Sequence, residues 1–269
     1  MTTLTQTFAR LADEGRPALV GYLPAGFPDV PTSIRAIETM VEAGVDIVEV
    51  GFPYSDPVMD GPVIQAAADQ ALAAGLRTSD VFEVVRASAA TGAATVVMTY
   101  WNPVERYGVS RFADTLHGAG GTGLITPDLI PEEAGEWTEA ATRLGLEQVF
   151  LVAPSSSDER LALTARAASG FVYATAVMGV TGARAQTSGR APELVGRLRE
   201  VTELPIGVGL GVSNGDQAAE VGAYSDAVIV GSALVRCLLD VPADDGIAAV
   251  RTLAADLRAG VERARTAAG

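Results

Sequence analysis

Two carboxylates, Glu49 and Asp60, stand where this chain of 269 residues is best suited to acid–base chemistry. Glu49 lies in the apolar run Val45–Val50, and alternate residues of a strand share a face, so Val45, Ile47 and Glu49 are predicted to point the same way. If Ile47 points into a barrel, Glu49 lies in the barrel mouth with a raised pKa, and it can then donate and accept a proton near neutral pH. The alternative is an interior glutamate that pairs with an arginine or hydrogen-bonds to a tyrosine.

Asp60 belongs to the proline-rich segment Phe52–Pro62 that follows Glu49. Proline fixes φ and reduces the freedom of a loop, so this segment can hold Asp60 near Glu49. Asp-Pro and Asp-Gly are also common turn pairs, and a turn role therefore stays open for Asp60. For Asp56 we favour a turn or an interface role.

Glycine-rich stretches at residues 179–182, 207–213 and 230–233 follow three late strands of the predicted fold. In parallel barrels, such loops and an adjacent helix N-terminus commonly bind a phosphate through backbone N–H groups. The hydroxyl of Ser232 can add one more contact. Ordinary turns are the alternative, but the same placement after two successive late strands favours a phosphate site.

An apolar pocket across the barrel mouth is predicted from four side chains at strand ends: Tyr22, Tyr100, Leu129 and Leu210. Each of these positions alone is as easily explained by core packing. Asp128 precedes a helix that opens with Pro131, so it is interpreted equally well as a helix cap.

Charge and composition exclude several classes of function. Nineteen basic and thirty-three acidic residues give a net charge of −14, which repels nucleic acid and anionic membranes. The sequence has one cysteine, Cys237, and one histidine, His117. Disulfides and cysteine-rich or multi-histidine metal sites within the chain are therefore excluded, and no metal is expected. With neither a secretion signal nor a membrane span in the sequence, a reducing cytoplasmic location is expected.

Every basic residue is an arginine, and the chain has no lysine. Schiff-base aldolases and enzymes that hold pyridoxal phosphate covalently both require a lysine amine. Carbon–carbon bond chemistry in this chain must therefore use carboxylates and backbone dipoles.

Short β-rich runs alternate with alanine-rich helical stretches along the whole chain, which predicts repeated βα units and a parallel sheet. The predicted strands are Ala18–Leu23, Asp46–Val50, Thr95–Thr99, Gly123–Thr126, Gln148–Val152, Phe171–Thr175, Pro205–Val208 and Ala227–Val230. Helix candidates between them include Pro31–Ala43, Pro62–Ala74, Ser79–Ala90, Pro131–Leu144, Asp158–Ala168, Pro192–Val201 and Asn214–Val221. Eight units in this length indicate a (β/α)8 TIM barrel, a single catalytic domain over residues 1–269 with extra helices at Leu4–Asp13 and Ile247–Arg265. An open doubly wound sheet is the alternative, but Leu23–Gly26 is not a dinucleotide-binding turn.

The run Glu49–Pro62 resembles the signature of the tryptophan synthase α-subunit family. Further motifs match that family in order and spacing: Met98–Pro103, Pro127–Leu129, Gly179–Gly182, Gly209–Ser213 and Gly231-Ser232. The resemblance implies cleavage of indole-3-glycerol phosphate to indole and glyceraldehyde 3-phosphate, with Glu49 and Asp60 at the catalytic positions.

The same resemblance implies the rest of the site. Thr181 and Gly182 match a loop that closes over the substrate, and Tyr173 matches a tyrosine beside the catalytic glutamate. The phosphate contacts implied are Gly182, Gly211, Gly231 and Ser232. The sequence departs from the family pattern at Thr122, Ala176, Val177 and Leu210.

The resemblance also implies a partner, a β subunit that carries pyridoxal phosphate in an αββα assembly, with no cofactor in this chain. Pro53–Pro57 and Asn102-Pro103 are predicted to face that partner. Two alternatives stay open: another enzyme on a phosphate-binding barrel, and a barrel that binds a sugar phosphate without catalysis.

Overall fold

The computed structural model describes residues 2–175 and 190–264. Eight parallel strands follow one another around a closed barrel in chain order, and β1 pairs with β8 to complete it. The strands are β1 Ala18–Pro24, β2 Ile47–Gly51, β3 Ala94–Met98, β4 Gly123–Thr126, β5 Glu147–Val152, β6 Val172–Thr175, β7 Ile206–Gly209 and β8 Ala227–Val230. The predicted TIM barrel is confirmed, with each strand within one or two residues of its predicted bounds.

Helices surround the barrel. They are α1 Leu4–Asp13, α2 Val30–Glu42, α3 Pro62–Ala73, α4 Thr78–Ala90, α5 Trp101–Tyr107, α6 Val109–Gly118, α7 Gly135–Leu144, α8 Asp158–Ala167, α9 Arg190–Arg199, α10 Gly215–Gly222, α11 Ser232–Arg236 and α12 Ala243–Arg263. Within the described ranges, none of them is both long enough and apolar enough to cross a membrane.

The helix predictions need three corrections. No helix bounds were predicted between β3 and β4, where α5 and α6 lie, or at α11. The stretch predicted as one helix from Pro131 to Leu144 is a 3-10 turn at Pro131–Glu133 followed by α7, because Ala134 leaves the helical conformation between them. The terminal helix α12 begins at Ala243, four residues before its predicted start at Ile247.

The barrel interior is filled by one apolar cluster of inward-facing strand residues: Ala18, Val20, Ile47, Ala94, Val96, Ile125, Val149, Phe171, Ala227 and Ile229. The alternate residues Val48 and Val50 belong to a second cluster, between the strands and the helices. Ile47 therefore points inward as predicted, and the period of two places Glu49 on the same side. Val45 does not share this face; it precedes the strand and packs in the outer cluster.

Helix α1 closes the amino-terminal end of the barrel. Leu4, Phe8 and Leu11 join the interior cluster, and the ring of Phe8 packs 5.8 Å from that of Phe171. The carboxylate of Glu147, at the start of β5, accepts hydrogen bonds from the backbone N–H groups of Leu4, at 2.7 Å, and Thr5, at 2.8 Å. With this end closed, the carboxyl ends of the strands form the accessible mouth, where barrel enzymes carry their active sites.

Candidate active site

Glu49 projects into the barrel at the carboxyl-terminal end of β2. It pairs in register with Tyr22 of β1 and with Val96 of β3, and Val96 belongs to the interior cluster. Its residue exposure is 1%. The Oε2 atom of Glu49 has no hydrogen-bond partner in the described part of the chain, and the ion pairs found there do not include this carboxyl. The alternative interpretation, an interior glutamate neutralised by an arginine or a tyrosine, therefore does not account for this oxygen.

Burial, and to a smaller extent the negative charge of Asp60, together raise the pKa of Glu49 from its ordinary value of 4.5 to about 8. The carboxyl is thus protonated at neutral pH but remains within reach of deprotonation. Burial also raises the pKa of Asp60, while a hydrogen bond from Tyr100 opposes that rise. The pair therefore favours a proton on Glu49 and a negative charge on Asp60, the separation of roles that acid–base catalysis needs.

Asp60 lies at the end of the proline-rich loop, directly before Gly61, the N-cap of α3. The Tyr100 hydroxyl donates to Asp60 Oδ1 at 3.2 Å, and the side-chain amide of Gln65 donates to the Asp60 carbonyl at 2.8 Å. These contacts fix the loop end at the barrel mouth, so the structure brings Asp60 into the electrostatic environment of Glu49 as expected.

Tyr22 and Tyr173 complete the surroundings of Glu49. Burial raises the pKa of both phenols, and the charge of Glu49 raises each of them further, as Asp60 does for Tyr22. Each ring lies over a glycine: a Cβ atom at Gly51 would overlap the Tyr22 ring, and one at Gly209 would lie 2.6 Å from the Tyr173 hydroxyl oxygen. The absence of side chains at these strand ends is what admits the two rings.

The late loops present glycine backbone where the phosphate site is predicted. Gly211, just after β7, has φ +72°, and a Cβ atom there would meet nothing within 4 Å. Gly231 is the N-cap of α11, and Ser232 is the first residue of that helix. Both loops follow strands that are neighbours in the barrel, so their backbones lie at the same edge of the mouth.

The remaining predicted residues have three different outcomes. Leu129 is 5% exposed and packs in the cluster between strands and helices, and Leu210 is partly buried against that cluster; their contact with a substrate stays a prediction. Thr181 and Gly182 lie outside the described residues. Asp128 does cap a helix, but a different one: both its carboxylate oxygens accept from the backbone N–H of Trp101, at the start of α5.

A surface cavity of about 510 Å³ lies beside the mouth, and the sequence analysis missed most of it. It lies between the loop after β2 and helices α5 and α6, and among its lining residues are Phe52, Tyr54, Asp56, Asn102, Arg106 and Arg111. Asp56, Asn102 and Pro103 were expected to face a partner. The two arginines went unnoticed because they belong to α5 and α6, for which no bounds were predicted.

No group of three or more histidine, cysteine, aspartate or glutamate side chains in the described ranges is arranged to hold a metal ion. The titratable groups brought together at the mouth are instead the two carboxyls and three phenols, Tyr22, Tyr100 and Tyr173. These groups are suited to moving protons and binding an apolar ring with a polar edge.

Replacing Glu49 by Gln is expected to stabilise the fold in alkaline solution. The unfolded chain ionises Glu49 near its ordinary pKa of 4.5, whereas the folded chain keeps the proton up to about pH 8. The native protein therefore loses stability relative to Glu49→Gln as the pH rises between these values, and the loss is complete above pH 8. Thermal unfolding from pH 5 to pH 9 should show a melting-temperature difference that grows in favour of the variant. Glu139→Gln on α7 is the control, and a flat difference for Glu49→Gln would contradict the buried, protonated state.

Comparison with known proteins gives a consistent family. The family model for the tryptophan synthase alpha chain matches residues 8–263. A tryptophan synthase alpha chain from Acidothermus cellulolyticus is 60% identical over 98% of this chain and 98% of its own length. The corresponding chain from Thermobifida fusca is 59% identical over 98% of this chain and 99% of its own.

Solved structures agree with the sequence relatives. A structure of tryptophan synthase from Mycobacterium tuberculosis superposes with a TM-score of 0.90 at 53% identity, covering 97% of this chain and 99% of the matched chain. An alpha subunit from Legionella pneumophila has a TM-score of 0.86 at 30% identity, covering 97% of this chain and 99% of its own. The described part of the chain thus forms a barrel of the same shape, and the chain belongs to the tryptophan synthase alpha chain family.

Proposed function

We propose that Glu49 and Asp60 are the catalytic residues of the alpha reaction, the cleavage of indole-3-glycerol phosphate to indole and glyceraldehyde 3-phosphate. The enzyme is a lyase of tryptophan biosynthesis, as its family membership establishes. The observation that carries the assignment of residues is the buried Glu49 carboxyl beside Asp60 at the barrel mouth; one of its oxygens has no partner in residues 2–175 and 190–264, and its pKa is raised to about 8.

The chemistry follows from these protonation states. Protonated Glu49 gives its proton to C3 of the indole ring, which makes the ring an electron acceptor. The resulting carboxylate then takes the proton of the adjacent glycerol hydroxyl; the bond from C3 to that carbon breaks, its electron pair returns to the ring, and an aldehyde forms. Glu49 ends the cycle protonated, as it began.

Asp60 acts on the ring nitrogen. When C3 is protonated, positive charge develops at the indole nitrogen. A carboxylate that accepts a hydrogen bond from the N–H group of the ring stabilises that charge. The burial of both groups strengthens the interaction because little water screens it. The reaction needs neither an amine nucleophile nor a redox group, which agrees with a chain that has no lysine.

We assign the walls of the substrate pocket to six residues: Tyr22, Tyr100, Leu129, Tyr173, Thr181 and Leu210. The phosphate is assigned to the backbone of Gly182, Gly211 and Gly231 together with Ser232. The positive φ of Gly211 and its open surroundings support this, since they leave room for an anion to approach the N–H groups. In a chain of net charge −14, local backbone dipoles supply the attraction that the overall field does not.

The partner is a tryptophan synthase β subunit in an αββα assembly. Indole is small and uncharged, and this chain has no lysine to hold the pyridoxal phosphate that consumes it, so that cofactor belongs to the β subunit. The cavity lined by Tyr54, Asp56 and Asn102 supports docking beside the mouth, and the exposed Val58 adds an apolar contact. We propose that residues 1–269 act as one catalytic domain in the cytoplasm, where the lone Cys237 stays reduced.

Glu49→Gln is expected to lose turnover by about 10²-fold or more while keeping the fold, because it removes the one group that donates and reclaims the proton. Asp60→Asn should lose less if Asp60 stabilises charge. Indole release from indole-3-glycerol phosphate measures both variants.

The native profile of kcat/KM should fall on the alkaline side near pH 8, as the Glu49 carboxyl loses its proton. Normal turnover by Glu49→Gln would contradict the assignment, and phosphate binding without indole release by the native chain would indicate a binding protein.

Gly211→Ala is expected to weaken binding of glycerol 3-phosphate by about tenfold or more, because one hydrogen bond from a positioned backbone N–H group to the phosphate is lost. The new methyl group clashes with no protein atom, so the effect comes from the left-handed backbone and from the space the anion would occupy. Gly145→Ala is the matched control: its φ is +68°, its Cβ also meets nothing within 4 Å, and it precedes β5 at the opposite end of the barrel. Calorimetric titration should show weaker binding for Gly211→Ala alone; an equal effect of both substitutions would place the phosphate elsewhere.

Mixing the chain with a β subunit is expected to give a complex on size exclusion and a faster cleavage of indole-3-glycerol phosphate, because docking orders the loop that ends at Asp60. Val58→Asp, on a side chain that is 74% exposed in that loop, should weaken both effects. Val201→Asp is the control, since Val201 is also exposed but lies after α9, at the other end of the barrel. A chain that neither binds the β subunit nor gains activity would act alone.

A further inference from the structure

The Tyr100 hydroxyl bridges two consecutive residues of the loop that carries Asp60. It accepts a hydrogen bond from the backbone N–H of Met59 at 2.9 Å and donates one to Asp60 Oδ1 at 3.2 Å. A phenol has a single proton, so the bond from Met59 leaves that proton directed at the carboxylate. The arrangement is therefore directional and selects Asp60 as a hydrogen-bond acceptor.

Tyr100 is itself held in place from three sides. Its side chain is 5% exposed, and its backbone forms the N-cap of α5. Asp128 binds the next backbone N–H, that of Trp101, with both carboxylate oxygens. The ring of Tyr54 packs against the Tyr100 ring with 5.4 Å between centroids. A phenol so restrained can fix the position of a loop whose middle, at Val58, is 74% exposed.

We propose that Tyr100 is a positioning residue for the cleavage reaction, which holds Asp60 in place and keeps it an ionised acceptor for the N–H group of the indole ring. The proposal rests on the role given to Asp60 in the proposed function. It differs from the lining role expected of Tyr100 because the hydroxyl acts through Asp60 and not on the substrate.

The electrostatics of the mouth explain why such a residue is needed. Burial raises the pKa of Asp60, which opposes its ionisation, and the Tyr100 hydrogen bond acts against that rise. Among the residues that the structure describes, the other titratable groups in this environment are Glu49 from β2, Tyr22 from β1 and Tyr173 from β6. Neutral phenols and a protonated Glu49 bring no positive charge, so within this described set Asp60 relies on a hydrogen-bond donor to stay ionised.

Tyr100→Phe tests the proposal, since it removes the hydroxyl and keeps the ring that packs on Tyr54. We expect kcat to fall about tenfold with KM within about twofold of the native value, as for a lost hydrogen bond to a charged group. The acid limb of the kcat/KM profile should move up by about one pH unit, because the pKa of Asp60 rises when its donor is removed. Tyr224→Phe, which removes a phenol after α10, is the control and should leave kcat, KM and the profile unchanged.

The double variant Asp60→Asn with Tyr100→Phe separates a positioning role from a direct one. If Tyr100 acts through Asp60, adding Tyr100→Phe to Asp60→Asn should change kcat by less than about twofold. Equal losses in both backgrounds would overturn the proposal, as would a normal Tyr100→Phe enzyme beside an impaired Asp60→Asn; in either case the role of Asp60 stands. A fully active Asp60→Asn would overturn the role of Asp60 and the proposal with it. If Asp60→Asn is too slow to compare, an unmoved acid limb in Tyr100→Phe overturns the proposal.

Discussion

The burial of the Glu49 carboxyl, with no partner for Oε2 among the described residues, is the constraint on which the rest of the site depends. A buried, unpaired carboxylate is costly, so the group keeps its proton to about pH 8 instead of ionising near 4.5. The stability that the fold gives up at this position in alkaline solution is what makes the side chain an acid at neutral pH. An arginine or a close phenol donor at Oε2 would relieve the cost and remove the function.

The barrel imposes that burial by geometry. The side chains of β2 alternate between the two faces of the sheet. Ile47 therefore points into the interior cluster, and Glu49, two residues closer to the carboxyl end of the strand, points into the barrel mouth. The two phenols that share the electrostatic environment of Glu49 fit there because β2 and β7 end in glycine: Tyr22 lies over Gly51, and Tyr173 over Gly209. The desolvation of Glu49 is thus a product of strand register and of missing side chains, two features that lie in the sequence itself.

These two features explain what could be predicted. The direction of Glu49 and the order of strands follow from local periodicity, which each strand carries in its own residues. Helix α5 was missed because its stability is not local: Asn102-Pro103 in its first turn is typical of a loop, and its first N–H is capped by Asp128 from the end of another strand. The placement of Val45 failed for a related reason, since the strand begins only at Ile47. Similarly, no sequence pattern indicates that Tyr100 contacts Met59 and Asp60, because the path of an irregular loop decides it.

The different roles of the two carboxyls also follow from the structural elements that hold each of them in place. Glu49 is fixed by a strand and excluded from solvent, so its protonation state is set mainly by burial in the barrel, with a smaller contribution from the charge of Asp60. Asp60 is fixed through Tyr100, whose ring packs on Tyr54, and Tyr54 lines the surface cavity beside α5 and α6. Any molecule that fills this cavity touches a side chain only one ring away from the group that holds Asp60. The site therefore combines an acid set mainly by burial in the fold with a second carboxylate whose support extends to a surface cavity, an arrangement through which a molecule docked there would influence Asp60.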